Sequence, residues 1–396
     1  MKRAKKKVKV IEQFESELRN LQNGGLYRSL NVLSPLPETS TRVQWNGQKY
    51  TLFCSNDYLG LSRHPRLIKA VKDTVKKYGV GTGASRLISG TTDWHEKLER
   101  KLASFKKKES ALVFSSGFLA NLGIITSLTD KNSLIIIDKR NHASIIDACR
   151  LSQATLRVYP HKRLEKLETL LRKSKEYNRT LIITDSVFSM DGDLAPLSEI
   201  VRLKEKYGAL LMIDEAHATG VFGPRGSGLA EELELEEKID IIMGTLSKAI
   251  GSLGGYVAAS RAIIDYVKNK GRPFIYTTSL PAILCAASFE AIQIIEEEWP
   301  LREQLWNTTH LVKKSIAAMG FDVGESVSPI IPIVVGEANR AVKMAQYLFD
   351  QKIYVPAVRP PTVPSGSARL RITVSAAHTE TEVKQLLSVL EKFKNG

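Results

Sequence analysis

Five short runs of apolar residues constrain this chain more than any other feature of its sequence. They are ALVFSS (residues 111–116), SLIIID (133–138), LIITDS (181–186), ALLMIDEAH (209–217) and IDIIMGTLS (239–247). None alternates apolar with polar residues, so none suits a sheet with one face in water. Strands that read this way are buried on both faces and belong to parallel sheets covered by helices. Helical periodicity lies between several of them, as in PLSEIVRLKEKYG (196–208). The alternation predicts an α/β domain built on a mostly parallel sheet.

The flanks read differently. VIEQFESELRNLQNGGLY (10–27) is a charged amphipathic helix that Gly24–Gly25 should stop. VQWNGQKYTLF (43–53) reads as a hairpin around Asn46–Gly47, the strongest short turn signal. After about residue 290 come two long helical patterns, a strand in SPIIPIVVG (328–336) and a helix in NRAVKMAQYLFDQKI (339–353). A proline-rich loop (355–368), the strand RLRITVS (369–375) and a last helix (380–393) follow. The expected division is an N-terminal helix and hairpin segment at 1–50, a large α/β domain at 51–290 and a smaller α+β domain at 291–396.

In open α/β sheets, ligands bind outside the carboxyl ends of the strands. Those ends carry Ser115 and Ser116, Asp138, Asp185, Asp214 with His217, and Ser247 with Lys248. A single Asp there is usually a helix cap; several in register mark one edge as a site. The DEAH sequence at 214–217 resembles the Walker B strand of a helicase-like ATPase. That reading requires a GxxxxGK[ST] phosphate loop, and the chain has none.

Other classes fall away on similar grounds. Cys54, Cys149 and Cys285 are too few and too scattered for a disulfide framework, and the spacing fits a reducing compartment. The seven histidines show no ligand spacing, so no metal is expected. No apolar run is long enough to cross a bilayer. The basic start, MKRAKKKVKVIEQF, has no apolar h-region behind it, so a cytoplasmic chain is expected rather than a secreted one. A net charge of +15 leaves an anionic substrate open. Nucleic acid is disfavoured, because no basic run is interleaved with aromatics.

GTLSKAIGSLGGY (244–256) places Lys248 between a buried strand and a glycine-rich segment. A lysine amine in a partly desolvated pocket has a lowered pKa and can form a Schiff base. Its partner would be pyridoxal 5′-phosphate, which serves as an electron sink while a carboxylate keeps its ring nitrogen protonated. Asp214 stands at a strand end for that purpose, and His217 can reach the phenolic oxygen. Ser115, Ser116 and Gly117 open a helix whose N-terminus suits a phosphate. Thr245 and Ser247 add hydroxyls, and His142, in RNHAS, can stack on the ring.

Six blocks carry a resemblance that covers nearly the whole chain. They are SNDYLGLSRHP (55–65), SSGFLANLG (115–123), DSVFSMDGDLAPL (185–197), DEAHATGVFGPRG (214–226), the lysine block and RPPTVPSGSARLRITVSAAHT (359–379). In this order they resemble the α-oxoamine synthases, which are fold type I pyridoxal phosphate enzymes. The resemblance implies that Lys248 holds the cofactor and shuttles a proton. Asp214 would pair with the ring nitrogen, with His217 and Ser189 on the phenolic side and His142 on the ring. Gly117, Phe118 and Thr245 would meet the cofactor, and Thr278 would reach the phosphate of a neighbouring subunit in a homodimer with shared sites. Asn56 and Arg371 would hold an amino-acid carboxylate. Arg28, Arg359 and Thr362 would contact the substrate, and the acyl donor would be an acyl-CoA or acyl-carrier protein. RPPTVP resembles the branch that joins L-alanine to a pimeloyl thioester, with the glycine-using, short-acyl branch as the alternative.

Overall fold

The computed structural model describes residues 2–24, 27–28 and 30–395. The N-terminal helix (α1) runs Lys2–Asn23, so it starts earlier than its apolar pattern suggests. It closes with Gly24 N–H donating to Asn20 O at 2.9 Å. Gly25, the second residue of the expected stop, and Leu26 lie outside the described residues.

The five apolar runs form strands of one seven-stranded sheet. In chain order its strands are Ser110–Phe114 (β1), Ser133–Asp138 (β2), Thr155–Tyr159 (β3), Arg179–Asp185 (β4), Leu210–Asp214 (β5), Ile241–Thr245 (β6) and Gly255–Ala259 (β7). The spatial order is β1-β7-β6-β5-β4-β2-β3. Strands β2 to β6 run parallel, and only β7 is antiparallel to its neighbours β1 and β6. Every residue of β2 is buried. Successive residues serve opposite cores: Ile136 and Ile213 pack on one face, Ile135 and Met212 on the other. Each fully buried Ile or Leu contributes about 1.5–3 kcal/mol. That explains why these strands read as unbroken apolar runs.

Helices cover both faces. Gly117–Leu128 (α2), Ala143–Leu151 (α3) and Arg261–Lys270 (α4) supply Ile124, Ala148 and Val267 to one core. Asp93–Phe105, Leu197–Tyr207 and Ala282–Glu297 supply Leu102, Ile200 and Ile292 to the other. Two strands carry no apolar-run signal. β3 is an edge strand with Arg157 and Val158 exposed, so it has no need of one. β7 begins with Gly255, where a Cβ would lie 2.5 Å from Ser116 O. Close approach of the β1–α2 turn demands a glycine there, and the glycine masks the strand.

A smaller sheet of Ile330–Gly336 (β8), Ala357–Val358 (β9) and Ala368–Thr373 (β10), in the order β8-β10-β9, forms the C-terminal layer. The expected hairpin is present, with Asn46 and Gly47 at φ 46° and 77°. It pairs in parallel with Ile353–Tyr354. Thr373 N–H donates to Phe53 O at 2.8 Å, so residues following the hairpin run beside β10. This contact brings Asn56 to Arg371 across more than three hundred residues of sequence.

One ion pair braces the turn after β5 from below. Lys106 Nζ donates to Glu215 Oε2 at 2.7 Å and Thr219 Oγ1 at 2.9 Å, and to Ser227 O. Both partners are fully buried. Burial works against the Lys106 charge, yet Glu215 raises its pKa above the ordinary lysine value. We predict that Lys106→Met, which strands the Glu215 charge, destabilises the chain by about 3–5 kcal/mol. Lys106→Met/Glu215→Leu should recover part of that loss. Urea unfolding of the three proteins checks both; a single variant as stable as wild type would refute the bracing role.

Candidate active site

The carboxyl ends of the central strands converge as expected. Asp185 and Asp214 are direct partners in the β4–β5 register. Past β5 the backbone continues the ladder, with Glu215 N–H donating to Met243 O at 2.8 Å. Ser186 donates to Asp214 O through both N–H (2.9 Å) and Oγ (3.0 Å). These bonds pin the turn, and Asp214 and His217 project from it with 4% and 6% of their surface exposed. The loop after β6 is closed in the same manner. Thr245 Oγ1 donates to Gly254 O at 2.8 Å, Gly254 N–H to Ser247 Oγ at 3.0 Å, and Gly251 N–H to Lys248 O at 2.8 Å.

These turns bring Lys248 Nζ to 2.7 Å from His217 Nε2. Desolvation pulls the Lys248 pKa down to about 8; Asp214 and Asp185 oppose the shift and Arg371 adds to it. His217 is pushed well below the usual histidine value, first by burial and then by Lys248, Arg371 and His142. Asp185 is raised well above the carboxylate range by burial and by the neighbouring Asp214 charge. Two carboxyl groups side by side disfavour a second charge there.

Asp214 accepts from Asn121 Nδ2 at Oδ2 (2.9 Å) and from Ala216 N–H at Oδ1 (2.9 Å). Asn121 also donates to Ser144 Oγ at 2.9 Å, and Ser144 Oγ lies 2.8 Å from His142 Nδ1. His142 caps α3, its N–H donates to Asp185 Oδ2 at 3.0 Å, and its ring stays exposed. On the opposite side, Tyr58 OH lies 2.7 Å from His217 Nδ1. Arg371, 8% exposed, donates to Ser189 O at 2.5 Å and to Asn56 Oδ1 at 3.3 Å from each terminal nitrogen.

Seven of the residues expected from the sequence therefore share one connected centre: Lys248, His217, Asp214, His142, Ser189, Asn56 and Arg371. Gly117 and Phe118 start α2 at its rim, where Ser116 Oγ caps Leu119 N–H at 3.2 Å. A Cβ on Gly117 would stand 3.5 Å from Thr245, so the helix start and Thr245 face each other closely. Thr278 is exposed, and its carbonyl accepts from Ser115 Oγ at 3.1 Å. The remaining three belong to flanking segments. Arg28 is exposed after α1. Arg359 and Thr362 sit on the proline-rich loop, where Thr362 N–H donates to Arg359 O at 3.0 Å.

Tyr58, Asn121 and Ser144 were not expected. Asn121 had a signal, being a polar residue on the buried face of an apolar helix. Tyr58 stands two residues after Asn56, in a block that otherwise reads as a turn.

The donor set fits pyridoxal phosphate. A nucleophilic amine with a depressed pKa suits its aldehyde, and a buried carboxylate bonded only to neutral donors suits a pyridinium N–H. The start of α2 and the Thr245 hydroxyl suit its phosphate.

Comparison with known proteins agrees. The aminotransferase class I and II family profile matches residues 48–390. An 8-amino-7-oxononanoate synthase from Citrifermentans bemidjiense is 48% identical over 384 residues, which is 96% of this chain and 98% of the relative. The enzyme of the same name from Thermoanaerobacter pseudethanolicus is 46% identical over 96% of each chain. A serine palmitoyltransferase variant from S. paucimobilis, solved with bound PLP–myriocin, superposes with a TM-score of 0.91. It is 32% identical, and the match covers 97% of both chains.

The Lys248 shift gives a prediction for the cofactor-free chain. Amine labelling at Lys248 should rise through pH about 8, well below the ~10.4 of exposed lysines. Peptide mapping across a pH series reads both classes at once. A Lys248 curve that coincides with the exposed lysines would refute the desolvation argument.

Proposed function

The chain belongs to the aminotransferase class I and II family and uses pyridoxal phosphate, and on that premise we propose how it works as an 8-amino-7-oxononanoate synthase. In this reaction L-alanine condenses with a pimeloyl thioester, and CO2 and the thiol are released. The observation that carries the reading is identity of nearly half over the full length to enzymes of that name, on a chain whose amine, imidazole and carboxylate already converge.

When bound, the cofactor supplies an electron sink for the charge that develops at the alanine Cα. The chain supplies the rest. Asp214 holds the ring nitrogen, with Asn121 fixing the carboxylate. His217 and Ser189 face the phenolic oxygen, and His142 offers the exposed face of its ring. Backbone groups at Gly117 and Phe118, with Thr245, meet the cofactor at the start of α2. Lys248 Nζ takes the Cα proton and returns it later. A base used in both directions needs a pKa near working pH, which burial provides here. Arg371 and Asn56 hold the alanine carboxylate, and Ser189 O aims the guanidinium. Arg28, Arg359 and Thr362 meet the acyl group or its carrier.

A homodimer is part of this reading. Leu87, Ile88 and Tyr276 expose 51%, 82% and 71% of their surface. They flank the bridge between Ser85 and Thr278, beside the helix that receives the phosphate. A second subunit that covers this patch puts Thr278 of the partner subunit within reach of that phosphate. Cytoplasmic residence fits as well: no helix among the described residues is long and apolar enough to cross a membrane.

Thiol release by the cofactor-loaded protein tests the substrate. Pimeloyl-CoA with L-alanine should dominate over acetyl-CoA with glycine; the reverse would move the chain to the glycine-using branch. Lys248→Ala should lose turnover by at least about a thousandfold, together with the visible absorbance of the lysine-bound cofactor. Asp214→Asn should keep the cofactor and lose turnover by roughly a hundredfold. Unimpaired turnover in either variant would overturn the role given to that residue.

A further inference from the structure

Tyr58 is a buried phenol for which the proposed chemistry has no task. It is 1% exposed. Its hydroxyl lies 2.7 Å from His217 Nδ1 and 3.3 Å from Asn56 Oδ1. On the other side of the imidazole, Nε2 lies 2.7 Å from Lys248 Nζ. At the far end, Asn56 Oδ1 accepts from both terminal nitrogens of Arg371. Five side chains from four distant segments thus make one line from the catalytic amine to the carboxylate-binding guanidinium, which also reaches the phenol directly.

The direction of this line follows from which atoms can donate. Arg371 only donates, and Asn56 Oδ1 only accepts. Lys248, as an ammonium, only donates, so Nε2 must accept. His217 is held neutral by burial and by Lys248, Arg371 and His142. A neutral imidazole that accepts at Nε2 carries its proton on Nδ1. Nδ1–H therefore donates to the Tyr58 oxygen, and Tyr58 donates its own proton to Asn56 Oδ1. Arg371 also stands beside the phenol, where it partly offsets the upward pull of burial on the Tyr58 pKa.

Once Lys248 gives up its proton, its lone pair can accept. Nε2–H then becomes the better arrangement, and Nδ1 needs a donor. Within the line only the Tyr58 hydroxyl can either give or take a hydrogen bond at Nδ1. We propose that Tyr58 is a positioning residue that lets His217 reverse its tautomer each time Lys248 gains or loses a proton. Both states of the amine then stay hydrogen-bonded without motion of any heavy atom. The Asn56–Arg371 end makes the reversal sensitive to the carboxylate that Arg371 holds.

Loss of the hydroxyl has a definite sign. In Tyr58→Phe, Nδ1 faces only carbon. A buried N–H without an acceptor is rarer and costlier than a bare acceptor. His217 then keeps its proton on Nε2, where it opposes the Lys248 ammonium as donor against donor. The Lys248 titration should move down. The other charged or titratable groups around Lys248 are Asp214, Asp185 and Arg371, with His142 beside them; of these, Arg371 also meets the phenol and keeps its bonds to Ser189 O and Asn56 Oδ1.

The test reads the tautomer directly. Nitrogen-15 spectra of histidine-labelled, cofactor-free full-length chain are recorded across pH 6 to 10, with the His217 signal assigned by its loss in His217→Asn. In wild type, Nδ1–H should dominate below pH about 8 and Nε2–H should gain above it. In Tyr58→Phe, Nε2–H should dominate throughout, and Lys248 labelling should shift down by roughly one pH unit. In the loaded enzyme, turnover should fall roughly tenfold with the alanine KM within about twofold, because Arg371 remains in place. Wild-type His217 locked in one tautomer across the range overturns the proposal, and that result needs no variant. Unchanged tautomer and labelling in Tyr58→Phe overturn it as well. The catalytic consequence rests on Lys248 as the base. The spectra involve neither substrate nor cofactor, so a tautomer that reverses in a chain without the expected turnover would fail the proposed function and leave the role of Tyr58 standing.

Discussion

Desolvation of one lysine amine is the interaction on which the site depends. A surface lysine is protonated at neutral pH and does no chemistry there. Lys248 is half-buried beside a loop closed on Thr245, Ser247 and Gly254, where desolvation makes its charge costly. The surrounding groups then settle how costly. Asp214 and Asp185 favour the charge and Arg371 disfavours it, and the balance falls near pH 8. The same burial pushes the His217 pKa down and that of Asp185, beside Asp214, up. Amine, imidazole and carboxylates therefore take their states from one shared low-dielectric space.

That space exists because of the sheet beneath it. Strands β2, β4, β5 and β6 are buried on both faces and, with the edge strand β3, run parallel, so their carboxyl ends form one rim. The register makes Asp185 and Asp214 neighbours. The residue after Asp214 points the other way and closes a buried ion pair with Lys106. Successive residues at one strand end thus do opposite work: one serves the site and the next anchors the turn that aims it.

The rim alone does not bring together Asn56 and Arg371, the pair proposed to hold an amino-acid carboxylate. That part comes from contact between the N-terminal hairpin and the C-terminal layer. Ile353–Tyr354 extends the hairpin, Thr373 bonds Phe53, and Arg42 pairs with Glu382 at 2.7 Å. These bonds lie outside the site, yet they set the distance from Asn56 to Arg371. They also bury Tyr58 against His217. Lys248, His217, Tyr58, Asn56 and Arg371 are consequently joined in one hydrogen-bonded line.

The sequence by itself determined the sheet, its coverings and the residues at its rim. A strand buried on both faces must be apolar throughout, and its end must turn polar where water and ligand begin, so both are written in local composition. Lys248, Asp214, His217 and His142 could be read in the same way, each beside a recognisable strand end or helix start. The edge strand β3 and the glycine-led β7 left no such mark, because exposure relaxes the pattern in one and backbone crowding dictates the residue in the other. Tyr58 and Ser144 were decided by tertiary structure alone, and Asn121, marked in the sequence only as a polar residue on a buried helix face, took its role there too. Their roles depend on partners brought close by folding, and a hydrogen bond between distant segments leaves no period or spacing in the chain that forms it. The pKa of Lys248 belongs with them, since it measures how much water the finished fold removes.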